Sequence, residues 1–422
     1  MNAGDHPRGD RGPAGGRRGR VAASAESVAA AITDPRDPTR AAVDFFTNAP
    51  WAPTGYGQQA AQLAFRLKRR GHPTAIHCNY GLAGAVSAWQ GIPLFPHGYD
   101  GYSNDTIVST FEHWAGLHPD RDTVLLTLFD VWTFKNPRLA HIPRIVSWVP
   151  IDHAPCPVEV LEWCRRDNVT PVAMSRFGAE MLANAGVDCE YAPHGIDTAT
   201  FTIGQTSEDG RTGRDLLEVP DDKFVVGMVA ANKGLLPNRK RFAENLLAVA
   251  ELMRRHDDVV LYMHTEPLGG AGGLNLPTLM TACGLDQDRV LWADQWAYHH
   301  GITPRTVAAL YGAMDVLLAA SAGEGFGIPV VEAQACGTRV VVSDFSAQPE
   351  LVGDGWAVGG QPDWDPYQRS WFFTPFVGEL VAALEEAHQL RGRSQKARAH
   401  AARYDADAVF AEAWEPILDG VA

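Results

Sequence analysis

From Ala41 onward, short runs rich in Val, Ile, Leu and Phe alternate with amphipathic stretches of about ten to fifteen residues, and this alternation constrains the fold more than any other feature. Apolar runs of that kind suit parallel strands covered on both faces, with helical crossovers between them, so the expected class is α/β. A first strand, AVDFF, leads through a Pro- and Gly-bearing loop into GQQAAQLAFRLKRRG, where Ala60, Leu63, Ala64 and Leu67 share one helical face and Gly71 supplies the stop. Further strands are expected at 74–77, 123–128, 145–149, 172–174 and 189–192. A second set is expected at 224–230, 259–263, 290–292, 316–319 and 339–342. Leu276-Pro277 and Thr303-Pro304 mark helix starts. Residues from about 374 to 390 and from 405 to 418 repeat apolar positions at helical spacing.

A chain of 422 residues suits two domains and therefore a cleft between them. The expected division is a tail at 1–40, a first Rossmann-like domain at 41–201, a polar linker at 202–220, a second Rossmann-like domain at 221–395, and a terminal helix at 396–422. The tail opens MNAGDHPRGDRGPAGGRRGR, rich in Gly, Pro and Arg, and reads as disordered. Arg17-Arg18 could open a twin-arginine export signal, but Glu26 and the lack of a strongly apolar stretch disfavour it. A net charge of −14 argues against a broad nucleic-acid surface. No apolar stretch approaches the roughly 18 to 20 residues of a membrane helix. The six cysteines are scattered, with no metal-ligand spacing, and the expectation is a reduced, cytoplasmic setting.

Most information lies in residues 319–342, AASAGEGFGIPVVEAQACGTRVVV. A buried strand is expected to end near Ala320, a Gly-rich loop follows, and a helix starts about Ile328 with Pro329 in its first turn. Gly325 and Gly327 would let backbone approach a ligand. The helix start offers unpaired N–H groups and a positive dipole end, which together suit a pyrophosphate. Glu324 and Glu332 could accept hydrogen bonds from sugar hydroxyls and a ribose diol. A turn acid and a helix-dipole acid are the plain alternatives; the coincidence of glycines, proline and two acids favours a site.

This segment resembles the E-x7-E signature of family 4 retaining glycosyltransferases, written here Glu324-GFGIPVV-Glu332. Residues 308–352 are similar to that family almost throughout, PHGIDTATF resembles its domain junction, and NAPWAPTGYGQQ looks like its first Gly-rich loop. The resemblance implies a GT-B fold, two Rossmann-like domains facing across a cleft, with the C-terminal helices packing back on the first. It implies metal-independent transfer, with retention, of a hexose-type sugar from a nucleotide diphosphate donor to a hydroxyl acceptor not identified by sequence. The first domain would bind acceptor and the second donor, with the nucleotide sugar as co-substrate and no other cofactor.

The implied donor contacts are Gly55, Gly57, Asn232, Gly325, Phe326, Gly327, Ile328 and Glu332. The implied catalytic groups are His153, Glu324, Arg239 and Lys240. In GMVAANKGLLPNRKRF the cations are Lys233, Arg239, Lys240 and Arg241; Asn232 stands near the family's Arg position and Arg239-Lys240 near its Lys. A solvated charge run is the alternative. His153 resembles the family's active-site histidine, although His194, His264, His299 and His300 compete on sequence alone. The turn Asp130-Val131-Trp132 is a further strand-end candidate, for acceptor or sugar contacts. Asp286-Gln287-Asp288 and Asp363-Trp364-Asp365 match a metal-binding string but read as surface turns. Arg66, Lys68, Arg69 and Arg70 suit either contact with anionic lipid or a simple helix C-terminus. Rival readings are an epimerase or phosphorylase on the same fold, and a non-catalytic sugar-nucleotide sensor. The loops at 80–102 carry no pattern that names an acceptor.

Overall fold

The computed structural model describes residues 40–234 and 238–421, so the tail read at 1–40 lies, but for Arg40, outside the described residues. The first domain is built on β1 (Ala42–Thr47), β2 (Thr74–Cys78), β3 (Ser87–Trp89), β4 (Ile92–Phe95), β5 (Thr123–Leu128), β6 (Ile145–Val149), β7 (Val169–Ala173) and β8 (Glu190–Tyr191), in the order β3-β4-β2-β1-β5-β6-β7-β8. All pairs are parallel except β3–β4. At the centre Phe45 aligns with Ile76 on one side and Leu126 on the other, each fully buried. The helix Gly55–Arg69 covers this face with Ala60, Leu63, Ala64 and Leu67, the stripe read from sequence. Thr54 caps it by accepting from the Gly57 N–H at 3.0 Å, and Gly71 ends it at φ 85°.

The second domain contains β9 (Phe224–Val229), β10 (Val259–His264), β11 (Val290–Trp292), β12 (Val316–Leu318), β13 (Arg339–Ser343) and β14 (Gly355–Val358), ordered β11-β10-β9-β12-β13-β14 and parallel throughout. The two Pro-started helices begin where Leu276-Pro277 and Thr303-Pro304 mark them, capped by Asn275 and Thr303. The polar run at 202–220 includes a helix, Gly213–Leu217, closed by a reciprocal Thr212–Asp215 capping box. At five residues it is too short to show periodicity.

The strands β14, β15 (Gly360–Asp365) and β16 (Ser370–Pro375) and the β3–β4 hairpin go beyond the strands read from sequence. The antiparallel β15–β16 hairpin turns buried Asp365, Ser370 and Phe372 inward and Trp364 and Trp371 outward. With polar residues inside and tryptophans outside, alternation points to the wrong face.

The chain then returns to the first domain. Ile196 of the PHGID junction exchanges backbone bonds with Tyr404 and Ala406, at 2.8 and 2.9 Å. Trp414 meets Trp148 edge-on at 4.7 Å. Arg66 pairs with Asp407 at 2.9 Å and Arg70 with Glu415 at 2.7 Å, while Lys68 donates to the Gln90 carbonyl. The basic group of the first helix therefore faces the returning helix and a neighbouring loop. One buried apolar cluster includes Phe45 and Trp148 of the first domain, Phe326 and Ile328 of the second, and Trp414, so the domains share a core. Among the described residues no helix is long and apolar enough to cross a membrane, and the six cysteines are free thiols.

Candidate active site

Parallel sheets present their ligands at the carboxyl ends of the strands. In this chain the loops after β1, β5 and β6 meet those after β9 and β12 across the cleft. The loop after β12 ends in the helix Ile328–Ala335. Gly327, at φ 117°, precedes that helix without any side-chain cap, and no acid occupies the first turn, so its N-terminal dipole is uncompensated. A Cβ placed on Gly55 would lie 3.3 Å from the Ile328 side chain, so the start of the first domain's leading helix faces this one.

The glycines of the loop have a reason that sequence did not supply. A Cβ at Gly323 would sit 2.2 Å from the Asp152 carbonyl oxygen, and one at Gly325 would sit 2.9 Å from the Pro150 ring. Both positions are small because the other domain's backbone lies against them. Gly57 has its Cβ direction blocked by the Ala52 carbonyl at 2.4 Å within its own turn. Phe326 is buried between His194, at 4.9 Å, and Tyr404, at 5.6 Å, in the shared core.

Four charges form the centre. Lys240 donates from Nζ to Glu324 Oε1 at 2.5 Å; Arg239 Nη1 lies 2.8 Å from Asp152 Oδ2 and 3.8 Å from Glu324 Oε2. Burial works to raise the Glu324 pKa, but Lys240 and Arg239 outweigh it and hold the carboxyl below its ordinary value. Asp152 is likewise depressed: burial is opposed by hydrogen bonds and charge from His153 and Arg239. Burial lowers the Lys240 pKa, with Glu324 opposing. The remaining cation of the run, Arg241, is committed to Asp363 and to the Phe373 carbonyl. Lys233 extends over the Tyr80 ring at 5.6 Å.

His153 is placed differently from a histidine lining a pocket. It is 3% exposed, with Nδ1 2.7 Å from Asp152 Oδ1, Nε2 3.1 Å from Asp365 Oδ2, and its ring stacked on Phe372 at 3.7 Å. Asp365 therefore corrects the reading of Asp363-Trp364-Asp365 as a surface turn: it lies on β15 and is 4% exposed. The hairpin carrying it reaches the first domain through two Ala154–Trp371 backbone bonds, each 3.1 Å, and from Ser370 to the Pro155 carbonyl. Asp286-Gln287-Asp288 does form a turn, with Asp286 capping it. Of the other histidines, His194 is buried with no hydrogen-bond partner for either nitrogen among the described residues, and burial lowers its pKa to about 3.

Glu332 is 4% exposed and accepts from the Tyr311 hydroxyl at 3.0 Å; burial lifts its pKa to about 7, the hydrogen bond opposing. Asn232 spends both ends of its amide on the neighbouring loop, donating to the carbonyls of Glu266 and Leu274 and accepting from the Leu274 N–H. It staples that loop to the end of β9. Two further groups join the charged centre. Burial raises the Asp130 carboxyl to about 6, Asp152 adds to the rise, and Arg239 and a bond from the Tyr56 hydroxyl oppose it. Sequence reading picked out Asp130 as a strand-end candidate for acceptor or sugar contacts and missed Tyr56, which looked like one more residue of a Gly-rich loop.

Comparison with known proteins gives the chain's likenesses in sequence and fold. Residues 220–370 match the family model Glycosyl transferases group 1. A D-inositol 3-phosphate glycosyltransferase of Segniliparus rotundus is 28% identical over 235 residues, 55% of this chain and 45% of the relative. The chain thus spans less than half the length of that relative. A solved glycosyltransferase from Rickettsia africae superposes with a TM-score of 0.65 at 14% identity, covering 90% of this chain and 98% of the other. Anabaena HepE, solved with UDP and glucose, gives 0.62 at 17% identity, covering 89% and 99%. The chain therefore has the GT-B fold, and its residues 220–370 are similar to the group 1 glycosyltransferase domain.

Proposed function

We propose that this protein is a retaining glycosyltransferase that moves a hexose-type sugar from a nucleotide diphosphate to a hydroxyl acceptor without a metal ion. The observation that carries the reading is the Lys240–Glu324–Arg239 cluster beside the uncapped helix start at Gly327, in the interdomain cleft. Two cations and a helix dipole suit the charge that develops on a departing diphosphate. In the free protein Glu324 and Asp152 neutralise those cations, so an arriving diphosphate exchanges one set of anions for another.

In the proposed step the bond from the sugar's anomeric carbon to the diphosphate oxygen breaks, and the acceptor oxygen bonds to that carbon on the same face. The acceptor's proton passes to a phosphate oxygen of the leaving nucleotide, so no carboxylate nucleophile is needed. Glu324 would orient the sugar hydroxyls, and Glu332 would take the ribose diol in place of the Tyr311 hydroxyl. His153 acts through Asp152, which it orients against Arg239, and is a positioning residue in this reading. Shared core and cleft packing would keep water from the reacting carbon.

The UDP complex of Anabaena HepE makes UDP-glucose the first donor to try. A thermal-shift screen of UDP-, GDP- and ADP-sugars, followed by product analysis of the anomeric configuration, tests the proposal. Absence of stabilisation by every nucleotide, or an inverted product, would overturn it.

A further inference from the structure

The region at 80–102, silent in sequence, is tightly organised in the structure. Asp105 accepts from the backbone N–H groups of Tyr99 and Asp100, at 2.8 and 3.3 Å, and Asp100 accepts from those of Tyr102 and Asn104, at 2.9 and 3.1 Å. Ser103 Oγ donates to Asn79 just past β2, at 3.1 Å. The Asn104 amide donates to the Thr133 carbonyl at 3.1 Å and accepts from the Lys135 N–H at 2.7 Å, beyond β5. The loop is thereby riveted to two strand ends that border the cleft.

This rigid loop presents aromatic rings to solvent. Tyr99 and Tyr102 are exposed, as are Tyr80 and Trp51 nearby, with Trp51 held by a 2.9 Å bond to the Gly81 carbonyl. Tyr102 meets Trp132 at 5.9 Å and Phe129 at 6.4 Å; Phe129 meets Tyr56 at 5.8 Å, and the Tyr56 hydroxyl lies beside Asp130. Tyr102 and half-buried Trp132 thus form a wall at the open end of a run of touching rings whose inner members, buried Phe129 and half-buried Tyr56, lead to the charged centre. The exposed face of Tyr102 contributes little to folding. The two outer rings suit a ligand with a flat apolar face and a polar edge.

We propose that this wall binds the acceptor and that the acceptor is an uncharged pyranoside, its C–H face on Tyr102 and Trp132 and a hydroxyl directed to Asp130. The proposal rests on the glycosyltransferase reading and gives it an acceptor class. Asp130 would repel a phosphorylated acceptor. The cation beside Asp130 is Arg239, which is already paired with Asp152 at 2.8 Å, and Lys233 reaches over the Tyr80 ring from the second domain.

The test uses the whole chain with UDP present, and follows saturation-transfer NMR of methyl α- and β-glucopyranosides and mannopyranosides, with myo-inositol 1-phosphate as the charged comparison. Ring C–H protons of a glycoside should receive the strongest saturation. Trp132→Ala and Tyr102→Ala should each weaken its binding about tenfold. Tyr102→Phe should bind as wild type, and UDP affinity should stay unchanged in all three variants. Tyr102 is exposed, so its truncation leaves the core intact. No signal from any glycoside, wild-type binding by both alanine variants, or tighter binding of the inositol phosphate than of every glycoside would overturn the proposal. Nucleotide thermal shifts report separately on the donor reading: glycoside binding without any nucleotide stabilisation keeps the wall and removes the transferase.

Discussion

Replacing Glu324 with Gln keeps the shape of the side chain and removes its charge, and the two properties it should change move in opposite directions. Glu324 lies 2.5 Å from Lys240 and 3.8 Å from Arg239. An ion pair at about 4 Å is worth about 4 kcal/mol at an effective dielectric of about 20. Arg239 is 41% exposed and also holds Asp152, so screening and that second partner reduce what a diphosphate gains to the order of 1 kcal/mol, or about fivefold tighter binding. Transfer should nevertheless fall by about 100- to 1,000-fold, the usual cost of losing a contact made to the reacting group. Calorimetry with the stabilising nucleotide diphosphate measures the first effect and single-turnover transfer the second. The acid limb supplies a control. A carboxyl held below its ordinary pKa stabilises the fold above its unfolded value and loses that contribution as pH falls through the folded one. Wild type and Glu324→Gln should therefore differ in stability at pH 7 and converge in acid. Nucleotide binding that weakens in step with the rate would show Glu324 to be a structural ion-pair partner and refute the reasoning.

Lys240→Ala should slow transfer and weaken nucleotide diphosphate binding together, because it removes a cation and leaves its carboxylate behind; unchanged kinetics would move the role to Lys233. Activity should survive dialysis against a chelator, and strict recovery on adding a divalent metal would count against the mechanism. Glu332→Gln should stabilise the protein at pH 8 by up to about 3 kcal/mol, since a buried carboxyl raised to about 7 loses its stability contribution as pH rises from its unfolded value through the folded one. Urea titrations at pH 5 and pH 8 read that gain; an equal difference at both values would mean that Glu332 does not titrate in this window.

The legible part of the fold was the part made of repeated local signals. Strands such as β9 and β13 are nearly continuous apolar runs because helices cover both faces, and Thr303 caps the helix it precedes through a contact three residues away. The β15–β16 hairpin was not legible because its stability comes from the opposite domain: Asp365 faces His153, and Trp371 pairs with Ala154. The site divides in the same way. Glu324 was singled out in a Gly-rich loop, Arg239 and Lys240 as cations beyond the second domain's first strand near the family's Lys position, and the structure brings them into contact. Tyr56 escaped because its meaning lies in the approach of the first turn of one helix to Asp130, past the end of a strand far away in sequence.

The glycines show why such a loop says more than one thing. Its sequence suggests backbone that must admit a phosphate, and Gly327 agrees by taking a left-handed conformation at an uncapped helix start. Gly323 and Gly325 admit something else, the Asp152 carbonyl and the Pro150 ring of the first domain. Asp152 in turn links Arg239 of the second domain to His153 of the first, and His153 is pinned by Asp365, which returns from the second. The geometry of the cations is therefore set by both domains together. A substitution that parts the domains at Gly323 or Gly325 would disturb Arg239 without touching any group that meets the donor. In this fold the close approach of two backbones is as much a part of the charged centre as the charges themselves.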